Sequence, residues 1–461
     1  MISESLIKKI LKSLLKSGGN FSEVYIQKKI ANNIKLEDKK IENCSSGYEL
    51  GCGLRLCFGD ITFYAYVDSL QEEKLLNAAE ILSSAANSSC SRNVLNLTAS
   101  KSSYNINIDK YPGEILPEAK KNILLEVDKV SRDYSSNVIQ VTSRLLDSEE
   151  EICIANCDGV YSFDKVVKTM LAVNVVAKKG KEVRTGYKSL ARTCGYEIFN
   201  LKSPKAIAEK ASRIAVTMLD AVNAPVGTFP VVIGPAFGGV IFHEACGHGL
   251  EADAILKDAS VFNGKLGKKI ANSTLTAVDD STIPYHWGSY KFDGEGHHSS
   301  RTVLIKDGIL RNYIYDLKTA KKSNKPQTGN GRRQSYKHIP IPRMSNTYID
   351  NGKEKPESII KSVNKGIYAK EFAGGQVDPV TGDFVFGVSE GYLIENGSIS
   401  VPIKGATLIG NGPEVLVKVE AIGNDLDFAP GFCGKDGQSV SNEVGQPTII
   451  VSGITVGGTK I

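Results

Sequence analysis

A five-residue interval constrains this chain more than any other feature. His243 and His248 stand in the stretch Val231–Asp253, VVIGPAFGGVIFHEACGHGLEAD, with Glu244 beside the first. The apolar run and Gly-rich turn ahead of them predict a strand leading into a helix. Each residue of a regular helix turns about 100°, so an HExxxH pair would sit about 140° apart. The commoner HExxH pair sits about 40° apart, on one face, where two imidazoles can hold one metal. Two histidines sharing a metal here therefore require an irregular helix. Gly247, directly before His248, is where a bulge or break fits. Without that irregularity they are two ordinary helical histidines.

A two-histidine metal site needs a third protein ligand and one position left for water. Several residues qualify. Glu251 follows His248 by three and Cys246 follows His243 by three, although Cys246 has apolar neighbours and also reads as a core thiol. His297 and His298 lie in a Gly-rich segment. Cys433 lies in PGFCGKDGQ, which reads as a flexible polar loop in which Lys435 would favour a thiolate.

The 461-residue chain predicts an α+β protein of more than one domain. Residues 1–224 read as an α/β scaffold of antiparallel strands and flanking helices. Its two units, 1–87 and 112–222, are joined by a Ser/Asn-rich linker over Asn87–Tyr111. Strands are expected at Phe21–Ile34, Gly53–Phe58, Ile61–Val67, Val138–Leu146, Glu151–Ala155, Gly159–Ala177 and Glu182–Ser189. Helices are expected at Ser3–Lys16, Leu70–Ala86, Pro117–Tyr134 and Ser203–Ala221. This half shows no chemistry and reads as scaffold or dimerisation surface. Residues 225–461 are richer in glycine and short β segments, with hairpin turns at Asp307-Gly308 and Asn396-Gly397. They predict an antiparallel β barrel or sandwich that carries the HExxxH helix.

Composition narrows the function classes. A net charge of +5 is a mild excess and no argument for nucleic acid or membrane. Met1–Lys16 is amphipathic rather than a signal sequence. The longest apolar run, Phe229–Phe242, is too short for a bilayer, which takes about 20 residues. Nine cysteines, an odd number without framework spacing, suggest free thiols in a reducing cytoplasm. No GxGxxG or Walker sequence supports phosphate binding.

Two further stretches read as site loops. Thr328–Tyr336, TGNGRRQSY, joins Arg332 and Arg333 to Tyr336, and Gly410–Glu414 is GNGPE. With Lys321, Lys322, Lys325 and Lys337 the first could form a phosphate or nucleic-acid patch, but aromatic interleaving is sparse. Tyr285-His286-Trp287 reads as a packed aromatic corner.

HEACGHGLEAD at His243–Asp253, TGNGRRQSYKHIPIPRMSNTY at Thr328–Tyr348, YLIENGSISVPIKGATLIGNGPEVL at Tyr392–Leu416 and GFCGKDGQ at Gly431–Gln438 occur in this order. Together they resemble the TldD side of the TldD/PmbA (TldE) family. The resemblance runs from about Gly227 to the C-terminus and extends to the N-terminal half only in layout. It implies a cytoplasmic zinc metalloprotease in which His243, His248 and Cys433 hold Zn²⁺ and Glu244 is the catalytic base. It also implies a homodimer, or a heterodimer with a PmbA/TldE-like subunit, acting on unfolded peptides or modified peptide precursors. Substrate would enter a closed chamber as an extended strand. Tyr336, Arg332 or Arg333 is expected to stabilise the oxyanion. Arg333, Gly412 and Lys435 are expected to contact substrate. Asp279-Asp280-Ser281 and the Asp293–His298 segment depart from the family pattern in loops expected near the substrate, and His297 and His298 could add metal affinity. Two rivals are a metal hydrolase of small molecules and a non-catalytic peptide-binding or assembly subunit with structural zinc.

Overall fold

A computed structural model of the protein describes residues 2–86, 92–102, 104–378 and 380–458. The first helix, Glu4–Leu14, is capped by the Ser3 hydroxyl and buries Ile7, Ile10, Leu11 and Leu14 along one stripe.

The two N-terminal units share a single sheet of seven strands. Strand Phe21–Glu37 sits at its centre. It pairs antiparallel with Lys40–Phe58 on one side and with Val138–Asn156 on the other. The second of these was expected as two strands. The polar run Asp147–Glu150 interrupts its apolar pattern, but the ladders on both sides continue through it. The first half of Lys40–Phe58 was not expected as strand. It is exposed and polar, and it is specified by the turn at Asp38-Lys39, where both residues take positive φ. Helices Pro117–Tyr134 and Pro204–Thr217 pack Leu124, Val127, Ala208 and Ala211 onto Leu171 and Val173 of the sheet. Of the expected linker, residues 87–91 and 103 lie outside the described residues. Thr98–Ala99 pairs parallel with Val160 and Tyr161, so this stretch is tied to the sheet.

Beyond it the fold is mixed α+β with two main sheets. Strands Gly227–Ile233, Lys365–Val377, Asp383–Glu395, Thr407–Asn411 and Ile449–Gly457 pair in a closed ring. Val231, Ile233, Ile367, Phe384, Phe386 and Leu408 form one core with Val240, Ile241 and Phe242 just ahead of the histidines. A six-stranded sheet ends in the hairpin of Asp427–Lys435 and Gln438–Gln446. Cys433 is therefore a buried strand residue, where the sequence suggested a flexible loop. Gly431, Gly434 and Gly437 mask the period-two pattern, and Asp436-Gly437 forms a tight turn with positive φ at both residues. GNGPE also differs from expectation, because Gly412–Lys418 is a short helix.

The halves are joined through buried ion pairs. Arg55 bonds Glu23 at 2.6 Å and Glu295 at 2.7 Å, and Arg333 also bonds Glu23.

Candidate metal centre

The five-residue interval is met by a change of helix type. Residues His243–Gly247 form one turn of π-helix, and the His248 amide donates to the His243 carbonyl. A π turn closes its hydrogen bonds over five residues instead of four. That brings the two imidazoles to the same side, with ring centroids 5.2 Å apart. Gly247 contributes space rather than a break. Its backbone is helical, with φ −58°, but a Cβ there would stand 2.3 Å from the Met344 sulfur.

Across from this turn stands Cys433. Its sulfur lies 3.3 Å from His248 Nε2. One ligand atom from each of His243, His248 and Cys433 falls within 4.8 Å of the others, the only such His/Cys/Asp/Glu group among the described residues. Burial alone would raise the Cys433 thiol. Hydrogen bonding to His243 and His248, with their charge, outweighs it and brings the group down to about 5. A thiolate between two imidazoles is a donor set that suits a borderline-soft divalent ion such as zinc.

Glu251 lies behind the histidine instead of serving as third ligand. Its carboxylate is buried, 3.0 Å from His248 Nδ1. Donation from Nδ1–H to this carboxylate directs Nε2 at Cys433, the arrangement that orients metal-binding imidazoles. Burial opposes ionisation of Glu251, but His248 and Lys435 hold it at about 2. The Lys435 ammonium donates to Glu251 at 2.9 Å and to Asp253 at 2.7 Å. Lys435 thus braces the carboxylate that holds His248.

Other expected site residues are engaged elsewhere. The Tyr336 hydroxyl donates to Asp68, and its amide donates to Gln27 at 2.9 Å. The residue is docked into the N-terminal sheet, against Gly51. Arg332 donates to the carbonyls of Met344 at 2.5 Å and Ser441 at 2.7 Å. Arg333 is buried against Glu23 and the Gly294 carbonyl, with its guanidinium 4.4 Å over the Tyr25 ring. Gly412 packs on the π turn, where a Cβ would meet the Ala245 carbonyl at 2.4 Å. Cys246 is a core thiol whose ionisation is suppressed by burial. His297 bonds the His298 carbonyl, and His298 packs on Phe292 5.1 Å away. Asp279 accepts from Ser345, Thr347 and Asn330, and Asp293 from the amides of Glu295, His297 and Gly331. Both acids brace loops. Trp287 is the expected aromatic corner, edge-on to Phe432 and bonded to the Gly431 carbonyl at 3.0 Å.

Glu244 stands beside the histidines and reaches solvent. Its side chain keeps 32% exposure, and one carboxylate oxygen lies 3.8 Å from His248 Nε2. Asn442 was missed from sequence. Its amide nitrogen lies 3.5 Å from both ring nitrogens of His243. No local pattern marks it, because it reaches the site through strand pairing.

Family models match most of the chain. The PmbA/TldA metallopeptidase C-terminal domain matches residues 226–458, the central domain residues 110–219, and domain 1 residues 22–86. The chain belongs to the PmbA/TldD metallopeptidase family. A protein named Metalloprotease TldD homolog from Haemophilus influenzae is 40% identical over 456 residues, covering 96% of this chain and 93% of that protein. A metalloprotease of Methanocaldococcus jannaschii is 34% identical over 433 residues, covering 92% of this chain and 94% of its own length. The crystal structure of TldE from Thermococcus kodakarensis shares the fold, with a TM-score of 0.80 at 21% identity over 99% of each chain. No described helix is long and apolar enough to cross a membrane.

Proposed function

We propose that this metallopeptidase-family chain is a zinc-dependent hydrolase of extended, unfolded peptides or modified peptide precursors. His243, His248 and Cys433 would hold the metal, and Glu244 would act as the base. The observation that carries this reading is the convergence of two imidazoles and a low-pKa thiol beside a partly exposed carboxylate. A bound zinc ion would supply Lewis acidity, acidifying water and polarising the scissile carbonyl.

The chain's own residues do the rest. Glu251, braced by Lys435, fixes the His248 ring and its tautomer. Glu244 accepts a proton from the attacking water and returns it to the leaving amine. Asn442 and Gly412 hold the two sides of the centre, one against His243 and the other against the π turn. The thiol hairpin also borders a cavity of about 460 Å³ between the halves, whose walls include Phe432 and Ser441. Strand alternation puts those two side chains on one face and Cys433 and Asn442 on the other. A space bounded by strands suits a peptide held by main-chain pairing. A second subunit, either another copy or a PmbA/TldE-like chain, completes the proposed assembly. The eight described cysteines are unpaired, which fits a reducing cytoplasm.

Metal analysis and peptide cleavage test the reading together. Glu244→Ala should keep zinc and lose cleavage, whereas Cys433→Ser should lose both. Zinc content unchanged in Cys433→Ser would break the ligand set. Cleavage by Glu244→Ala would remove the base assignment.

A further inference from the structure

Two cations on the wall of the cavity between the halves have no acid of their own. Lys168, from strand Val160–Lys179, donates to the Ser441 hydroxyl and places its ammonium 5.0 Å above the Trp287 ring. Arg332 is 7% exposed, bonds the Ser441 carbonyl at 2.7 Å and lies 5.0 Å over Tyr290. The two cations thus converge on one residue of the thiol hairpin. Lys188 and Arg192, on the adjacent strand, pair with Glu371 and Glu443. Among the described residues, Lys168 and Arg332 form no such ion pair.

The acids that share the cavity bond to other groups and make no direct contact with Lys168 or Arg332. Asp147 pairs with Lys120 at 2.7 Å. Glu150 accepts from Gln27 at 2.5 Å, and Asp164 from the Lys291 amide at 3.1 Å. Asp293 takes three backbone amides at 2.9 Å each. The Lys168 ammonium has three donors and uses one on Ser441, so a ligand carboxylate in the free space beside it makes a charge-assisted contact that no acid of the cavity makes.

We propose that this cavity recognises a carboxylate of the bound peptide, held by Lys168 with Arg332 behind it. Trp287, Tyr290 and Phe432 supply apolar walls for the adjoining chain. The inference rests on the peptide reading of the metal centre. The hairpin that carries Cys433 on one face carries Ser441 on the other, so a carboxylate held at Lys168 fixes the peptide relative to the metal ligands. The carboxylate has two possible sources, a peptide C-terminus or an Asp or Glu side chain.

Trp287 is the only tryptophan in the chain and lies under Lys168, so its emission can report binding directly. The full chain carrying Glu244→Ala, which prevents turnover, is titrated with three probes. These are acetyl-tetraalanine as free acid, its C-terminal amide, and amidated acetyl-Ala-Ala-Asp-Ala. A charge-assisted contact should make at least one acid bind about tenfold or more tighter than the all-neutral amide. Preference for the free acid assigns the C-terminus, and preference for the Asp peptide assigns a side chain. Lys168→Met should erase the preference, and Lys168→Arg should keep it. Equal binding of all three probes, or full preference retained in Lys168→Met, overturns the proposal. Emission reads binding and not hydrolysis. A chain that prefers the acid yet, with Glu244 intact, cleaves nothing would therefore overturn the peptidase reading and leave the carboxylate site standing.

Discussion

Replacing Lys435 with Met tests whether this lysine serves the substrate, as its sequence neighbourhood suggests, or the metal ligand, as its contacts show. Its ammonium lies 2.9 Å from Glu251 and 2.7 Å from Asp253. Methionine keeps much of the stem and removes only the charge. Glu251 would retain His248 at 3.0 Å and the Met344 amide at 3.3 Å, but would face Asp253 with no cation between them. Breaking one side of a buried ion pair costs about 3–5 kcal/mol. The Lys435 side chain keeps 17% exposure, which puts the expectation at the lower end, about 3 kcal/mol. Part of that loss falls on the metal. Altering the partner of a metal-binding histidine weakens affinity about 10–100-fold, or about 1.4–2.8 kcal/mol. Competition against a zinc chelator measures this share, and thermal unfolding of the metal-free protein measures the rest. At saturating zinc, the KM for peptide should change by less than about threefold. Unchanged zinc affinity with a raised KM would refute the reasoning and return Lys435 to the substrate.

Gly412→Ala should cost about 1–3 kcal/mol by pressing on the Ala245 carbonyl 2.4 Å away, and should lower zinc occupancy by shifting the π turn. Gly434→Ala adds a methyl that meets nothing and is the control; equal zinc loss in both variants would count against the packing role. Glu390 links the halves through a two-pronged bond from Arg213 at 2.8 and 2.9 Å. Burial opposes its ionisation, but Arg213, Tyr392 and Lys370 hold it at about 2, below its ordinary 4.5. A depressed folded value means the unfolded chain takes up the proton first, so this contribution is complete above pH 4.5 and is lost as pH falls towards 2. Its size is on the order of 3 kcal/mol. Urea midpoints at about pH 6 and pH 3 should therefore fall less in Glu390→Gln than in the wild type, and parallel losses would exclude the pair as the cause.

Local sequence marked the candidate ligands but few of their partners. Spacing between His243 and His248 demanded an irregular helix, and a π turn answers that demand because its hydrogen bonds span five residues. Glu251 could be noticed as a carboxylate near His248, yet its role depends on Lys435, 184 residues away. Arg333 and Tyr336 looked like site residues because a polar run between glycines resembles an exposed loop. Their partners, Glu23 and Asp68, belong to another domain, so sequence gave no sign that these side chains were already spent on holding the halves together. The N-terminal half looked like scaffold for the same reason. Lys168 sits in an ordinary strand pattern, and only the docking of that strand against Ser441 and Trp287 gives it a possible role.

The thiol hairpin shows how one strand period serves two sites. Cys433, Lys435 and Asn442 lie on the face turned to the histidines, while Phe432 and Ser441 lie on the face turned to the cavity. A one-residue slip in its pairing would exchange the faces and remove the thiolate, the Glu251 brace and the cavity wall together. The tight turn at Asp436-Gly437 therefore sets more than the end of a strand. It sets the register on which the metal centre and the proposed carboxylate site both depend.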